Sequence, residues 1–170
     1  MFFYINKLKL LLLLCKITNP QKQTMYDNKH NPLAWIRGIE KGHVKIGENV
    51  WIGPFCVIDG EYDFVELGDN VNVSSGAQIV THDTAKRCVT EGQYSQIDHA
   101  PVTIGKNVYV GTNAVIMKGC VIGDSCIIAA GAVVKENSVI PAFSLVAGVP
   151  ATIKKSIQSD FNTWITHDTI

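Results

Sequence analysis

The tetrapeptide Thr81-His82-Asp83-Thr84 places two reactive side chains at a point where an otherwise regular sequence pattern stops. An imidazole titrates near neutrality, so His82 is suited to take a proton from a bound hydroxyl or amine at physiological pH. Asp83 beside it can orient the ring, as the carboxylate of a triad does. Adjacent residues often point apart, however, and an Asp beside a loop also serves to cap a turn. Asn72, ten residues earlier on an outward position, offers an amide either to a bound acceptor or to solvent. His99 stands where the pattern resumes and can contact an acceptor or cofactor, or serve as a plain loop histidine. A second Thr166-His167-Asp168-Thr169 near the C-terminus lies outside any repeat and reads as coincidence, while His30 and His43 precede the repeats and read as structural.

The elements that must hold these residues are set by a period of six. Aliphatic residues recur at Ile46, Ile52 and Ile58, then after a slip of three at Leu67, Val73 and Ile79. They return at Ile104, Val110, Ile116, Ile122, Ile128, Val134, Ile140 and Val146. Two residues before each stands a small or apolar partner, from Val44, Val50 and Cys56 to Ala132, Ser138 and Ser144. Such a period is neither helical nor a sustained strand alternation. It describes a chain that makes a short strand, turns and repeats, so that three hexapeptides close one triangular coil of a parallel β-helix.

On this reading the fold is all-β. Residues 1–43 form an N-terminal helix (1–24) and an irregular approach (25–43), and the solenoid occupies 44–149 with a long excursion at 83–101. Tyr62-Asp63-Phe64 is a small insertion between the first two coils. Residues 150–170 form a short capping helix over Ala151–Ser159 and a tail. A long polar excursion in a repeat protein is a favoured place for function, because the coil can expel it without losing its own core.

Composition narrows the class. The chain has 170 residues, 46% of them apolar, and no formal net charge, so its overall balance does not point to nucleic acid or an acidic polymer. Cys56, Cys120 and Cys126 fall on small inward positions, Cys15 and Cys88 outside the pattern, and no Cys-x-x-Cys occurs. A disulfide framework is not indicated, and a reducing cytoplasm is the natural location. Met1–Ile17 is apolar around Leu10–Leu14 but broken by Lys7, Lys9 and Lys16. It is too short to span a bilayer and lacks a small-residue cleavage site. It reads either as a helix packed on the solenoid or a neighbouring subunit, or as a basic amphipathic helix at the inner face of the membrane.

The stretches Pro101–Gly111, Gly131-Ala132-Val133-Val134 and Val146-Ala147-Gly148-Val149-Pro150-Ala151 resemble the hexapeptide-repeat acyltransferases. The similarity is strongest to the maltose/galactoside acetyltransferase type and the related polysaccharide O-acetyltransferases. It covers roughly residues 44–155. It implies a left-handed β-helix, a homotrimer with active sites between subunits, and acetyl-CoA as acyl donor, with His82 matching the family's catalytic histidine. It also implies a pantetheine groove lined by Gly111, Thr112, Ala129 and Ala130, with a backbone amide of the Gly111 corner holding the oxyanion. Lys154 and Lys155 stand where basic residues of the family meet the nucleotide phosphates, although Thr152 replaces a residue that is often Arg or Lys; Lys135 is a further candidate phosphate partner or a plain solvent-face charge. The implied activity is O-acetylation of a sugar hydroxyl of a surface polysaccharide or its precursor, with Asn72 and His99 toward the acceptor. Two other readings stay open: N-acetylation of a nucleotide-linked amino sugar, and a non-enzymatic β-helix scaffold. A zinc-dependent carbonic anhydrase of this fold needs three converging histidines, and the loop between His82 and His99 supplies no third. Serine acetyltransferases share the Gly-Val-Pro-Ala ending but carry a larger helical N-terminal region.

Overall fold

The computed structural model describes residues 31–167. The helix expected over residues 1–24, together with His30, lies outside the described residues.

Each hexapeptide contributes a strand of two or three residues, and strands from successive coils stack in parallel register into three sheets. One sheet runs through Trp35–Arg37, Val57–Asp59, Gln78–Val80, Val115–Ile116 and Val133–Val134. The second runs through Val44–Ile46, Val65–Leu67, Val102–Ile104, Val121–Ile122 and Val139–Ile140. The third holds Trp51–Ile52, Asn72–Val73, Tyr109–Val110, Ile127–Ile128 and Ser144–Gly148, with Ala151–Ser156 at its edge. The expected aliphatic positions fill the interior: Ile52, Ile58, Leu67, Ile79, Ile104, Ile116, Ile122 and Ile128 are all at most 1% exposed. Between them lie the small partners, among them Cys56, Ala77, Ala114, Cys120, Cys126 and Ala132, each fully buried. Burial pushes the three thiols above their ordinary titration range, so they act as apolar fillers and not as nucleophiles.

The corners explain the polar letters of the repeat. Asn49, Asn70 and Asn107 stack at one corner with φ of +54°, +57° and +57°, a left-handed geometry that asparagine tolerates better than most residues. Their side chains form a ladder, Asn49 Nδ2 donating to Asn70 Oδ1 (3.3 Å) and Asn70 Nδ2 to Asn107 Oδ1 (3.1 Å). The glycine before each such corner is required by close stacking, since a Cβ on Gly68 would lie 2.7 Å from the Gly105 carbonyl carbon.

Two boundaries differ from the sequence reading. The solenoid begins before residue 44: Trp35–Arg37 pairs in register with Val57–Asp59 as the first strand of its sheet. A wide turn, closed by His43 N–H to Gly38 O (2.9 Å), interrupts the six-residue spacing there and hides the strand from a period count. At the other end, Ala151–Ser156 is not a helix but a strand running antiparallel to Ser144–Gly148. This short, polar strand with two β-branched residues covers the open edge of the third sheet. The C-terminal helix follows at Gln158–His167, with Phe161 packed edge-on against Phe143, and includes Thr166 and His167. Among the described residues no helix is long and apolar enough to cross a membrane.

The stacked aliphatic ladder makes a clear demand on stability. Ile116→Ala, in the middle of the stack, is expected to cost about 3 kcal/mol in reversible denaturation, because its neighbours are fixed by ladder bonds above and below and cannot close the void.

Candidate active site

The excursion opens where the first sheet turns toward the second. Val80 pairs with Asp59 one coil below, and the buried Thr81 donates its hydroxyl to the Asp59 carbonyl (2.7 Å). The chain then leaves the coil as a two-stranded antiparallel ribbon, His82–Asp83 against Asp98–His99, enclosing the short helix Ala85–Val89. It re-enters with Ala100 N–H bonded to Thr81 O (2.9 Å). In the ribbon His82 stands directly opposite His99, which sets both side chains on the same side.

His82 is mostly enclosed, with 19% of its side chain exposed. The Tyr62 ring lies against it with centroids 4.5 Å apart. Its Nδ1 is fully buried without a hydrogen bond, and the nearest carboxylate oxygen, Asp59 Oδ2, is 3.7 Å away. Asp59 is itself 6% exposed. Its Oδ1 accepts the Glu61 N–H (3.0 Å), and Arg37 Nη1 also stands 3.7 Å from Oδ2. Arg37 is anchored on its other side by Glu61 (3.2 Å). The ring thus turns its buried Nδ1 to a carboxylate, with Nε2 as the other ring nitrogen.

Asp83 makes no hydrogen bond to His82. Its carboxylate bonds the Lys118 ammonium and accepts the Ala85 N–H (2.9 Å), so it faces away from His82. Lys118 is only 12% exposed and also pairs with Glu136 (2.5 Å). The bonds to Asp83 and then Glu136 push the Lys118 ammonium above its ordinary range. Lys118, followed by the Ala85 amide, holds Asp83 below the usual carboxylate range. At the far end of the excursion Lys86 pairs with Asp98 (2.8 Å), which also accepts the Tyr94 hydroxyl (2.7 Å). Beneath these pairs lies an open cleft of about 410 Å³ bounded by Asp83, Lys86, Asp98, His99, Lys118 and Glu136.

His99 is more exposed than His82, and its Nδ1 is held at 2.8 Å by Asp63 Oδ2. The three-residue slip at Tyr62-Asp63-Phe64 therefore touches both histidines of the ribbon. His43 reads as structural in space as in sequence: Nδ1 meets Gly60 O at 2.8 Å and the ring packs on Phe64.

The other candidate residues lie elsewhere. Asn72 sits on the third sheet between Trp51 and Tyr109, not beside His82, with its Oδ1 buried and unpartnered. Gly111, Thr112, Ala129 and Ala130 form a strip of small residues at the corner between the third and first sheets, with Thr112 and Ala130 exposed. His82 lies at the opposite end of the first sheet, a separation on the order of 15–20 Å for about six extended residues. The Gly111 amide donates to Ile128 O (2.8 Å) and the Ala129 amide to Val146 O (2.9 Å), so neither is available as the expected oxyanion donor. Lys135 is exposed beyond the strand Val133–Val134, at the corner shared with Lys118. Lys154 and Lys155 instead lie on the C-terminal edge strand, bonded to Thr152 and Asp160. One chain does not gather the three lysines into a single cluster.

Sequence reasoning missed Asp59, Tyr62, Asp63 and Lys118. Asp59 is 21 residues before Val80, the length of one coil plus the three-residue slip, so coil arithmetic places it under the start of the excursion. Lys118 left no such signal, because its partners come from the excursion and from the next coil. Among the described residues no group of three or more His, Cys, Asp or Glu side chains is placed to hold a metal ion.

Comparison with known proteins agrees with this architecture. The family model for the bacterial transferase hexapeptide (six repeats) matches residues 101–136, and that for the hexapeptide repeat of succinyl-transferase matches 43–80. Carnitine operon protein CaiE of Shigella dysenteriae is 31% identical over 140 residues, covering 79% of this chain and 70% of that protein. Among solved structures, a maltose O-acetyltransferase from Clostridium difficile is similar at 29% identity and TM-score 0.62, over 74% of this chain and 64% of that one. A hexapeptide-repeat acetyltransferase of Vibrio cholerae, complexed with acetyl-CoA, is similar at 30% identity and TM-score 0.59, over 68% of this chain and 61% of that one. The present chain thus spans somewhat less than two thirds of the length of these two structures. It belongs to the hexapeptide-repeat acyltransferase family.

The Lys118 contacts give a pH test of how the excursion is anchored. Asp83 titrates lower in the folded protein than in the unfolded chain, so its contribution is complete above the ordinary carboxylate value of 3.8 and is lost as pH falls through its lowered folded value. The protection of amides 84–98 against hydrogen exchange, relative to the intrinsic rate at each pH, is expected to fall on acidification below about pH 4 before that of the coil amides does. Lys118→Met should show the same loss of protection at pH 7.

Proposed function

We propose that this protein is an acetyl-CoA-dependent O-acetyltransferase acting on a sugar hydroxyl of a surface polysaccharide or its precursor. The single observation that supports this most is the setting of His82. It stands at the mouth of the excursion, mostly enclosed, with Nδ1 turned to the buried Asp59 carboxylate. A general base must be held in one orientation and must tolerate a positive charge at the moment it takes a proton. Asp59, rather than Asp83, is the carboxylate nearest Nδ1, at 3.7 Å, and supports this reading.

In this mechanism His82 Nε2 removes the acceptor's hydroxyl proton as the oxygen attacks the thioester carbonyl. A carbon–oxygen bond forms and the carbon–sulfur bond breaks. The imidazolium, steadied by Asp59, then returns the proton to the departing thiolate. The donor's long arm suits the small-residue strip at Gly111, Thr112, Ala129 and Ala130, and its phosphates suit Lys135 or the Lys154–Lys155 pair. Because His82 and that strip lie at opposite ends of one sheet, a single copy does not present both to one substrate. A homotrimer in which each site combines the histidine corner of one copy with the small-residue corner of the next removes the difficulty. Asn72, remote from His82 within one chain, would meet the acceptor only across such a boundary. A cytoplasmic location, with acetyl-CoA at hand, fits this assignment.

Calorimetric titration with acetyl-CoA, followed by turnover on a panel of sugars, tests it. His82→Ala is expected to bind acetyl-CoA as wild type does while turnover falls by about 10²–10⁴-fold. Asp59→Asn should cause a smaller loss, and Asp83→Asn a smaller one still. Absence of acetyl-CoA binding by well-folded wild type would sink the assignment.

A further inference from the structure

The Tyr62-Asp63-Phe64 insertion breaks the repeat at one point, and its first two residues each engage a different histidine of the ribbon. Tyr62 covers one side of the His82 ring and yet remains 43% exposed. A half-exposed aromatic ring beside a reacting imidazole has an apolar face to offer and a hydroxyl at its tip. Asp63 turns His99 into a fixed group: the carboxylate occupies Nδ1 at 2.8 Å, which leaves Nε2 as the ring nitrogen free for a ligand. Asp63 is steadied in turn, since its Oδ1 accepts the Phe64 N–H (2.8 Å). Phe64 packs on His43, and its carbonyl accepts the Val102 N–H (2.8 Å), where the chain returns from the excursion. The insertion is thus braced against the coil on both sides. Coil closure gives no reason for it, because the next coils close at eighteen residues without one: Thr103 pairs with Val121 and Val121 with Val139.

We propose that this insertion is the acceptor-recognition element. Tyr62 is the platform on which the C–H face of a six-membered sugar ring stacks, and His99, held by Asp63, hydrogen-bonds a hydroxyl next to the one that reacts. The substrate class is then a pyranose bearing vicinal hydroxyls: His82 receives the proton of one, and His99 Nε2 positions its neighbour. Since the two histidines stand opposite each other in the ribbon, with Cβ atoms about 5 Å apart, adjacent hydroxyls of one ring lie within reach of both side chains. The inference rests on the reading of His82 as the base of an O-acetyltransferase. It assigns Tyr62, Asp63 and His99 to specificity and not to the chemical step.

The experiment has a binding arm and a kinetic arm. In the first, saturation-transfer NMR follows methyl glycosides on the full-length protein without acetyl-CoA. Ring C–H signals are expected with wild type, Tyr62→Phe and His82→Ala, and should disappear with Tyr62→Leu, which keeps an apolar contact to His82 but removes the aromatic face. In the second, Tyr62→Leu and Asp63→Asn should raise KM for a glycoside acceptor by tenfold or more, with KM for acetyl-CoA held at the wild-type value. cis-1,2-Cyclohexanediol should out-compete cyclohexanol as a minimal acceptor with wild type, and lose that advantage with His99→Leu. A loss confined to kcat in Tyr62→Leu would make the tyrosine a support for His82 and overturn the proposal. So would binding of a free nucleotide in place of the glycosides, or failure of folded wild type to bind any glycoside. Glycoside binding with no acetyl transfer would leave the recognition element standing and remove only the activity assigned above.

Discussion

Everything in this molecule depends on the vertical stacking of identical inward positions. The coil strands up to Val139–Ile140 are only two or three residues long, far too short to be stable by themselves, and are held by ladder bonds to neighbouring coils. An isoleucine in one coil therefore packs against isoleucines or valines at the same position in its neighbours. The glycines and asparagines follow from the same constraint, because corners that stack closely exclude a Cβ at one position and require left-handed backbone at another. The solenoid behaves as a column whose core is laid down one coil at a time.

Such a column has little freedom in its interior and much at its corners. Extra chain can leave a corner if the coil closes behind it, and this chain does so twice in neighbouring coils. The three-residue insertion and the long excursion emerge at adjacent levels, and each touches the other through Tyr62–His82 and Asp63–His99. Two ion-pair groups anchor the excursion: Lys118 with Asp83 and Glu136, and Lys86 with Asp98. The first is well enclosed and binds the excursion to the coils above it, whereas the second is exposed and screened. His82 is thereby fixed by parts of the chain that the repeat itself does not need.

The placement of charge around His82 is economical. Asp59 is buried beside two nitrogen groups, the Arg37 guanidinium and the His82 imidazole, at the same distance from one oxygen. Arg37 supplies a permanent counter-charge, which a buried carboxylate requires, and leans on Glu61 at its other end. In the proposed mechanism the same carboxylate faces the charge that His82 would gain on taking a proton.

The hexapeptide period by itself determined the class of fold, the inward residues and the point at which the coil opens, since burial with a period of six leaves little choice of geometry. The position of His82 at the opening of the excursion was legible for the same reason: it stands where the period stops. The first strand at Trp35–Arg37 and the edge strand at Ala151–Ser156 were not, because one lies behind a wide turn and the other makes an antiparallel pairing that no parallel repeat encodes. Nor could the sequence choose the partner of His82. Asp83 is its neighbour along the chain, but the stacking of coils 21 residues apart brings Asp59 to it instead, and Lys118 draws Asp83 away. Contacts between coils are set by register and by the lengths of what is inserted between them, and those are properties of the folded column.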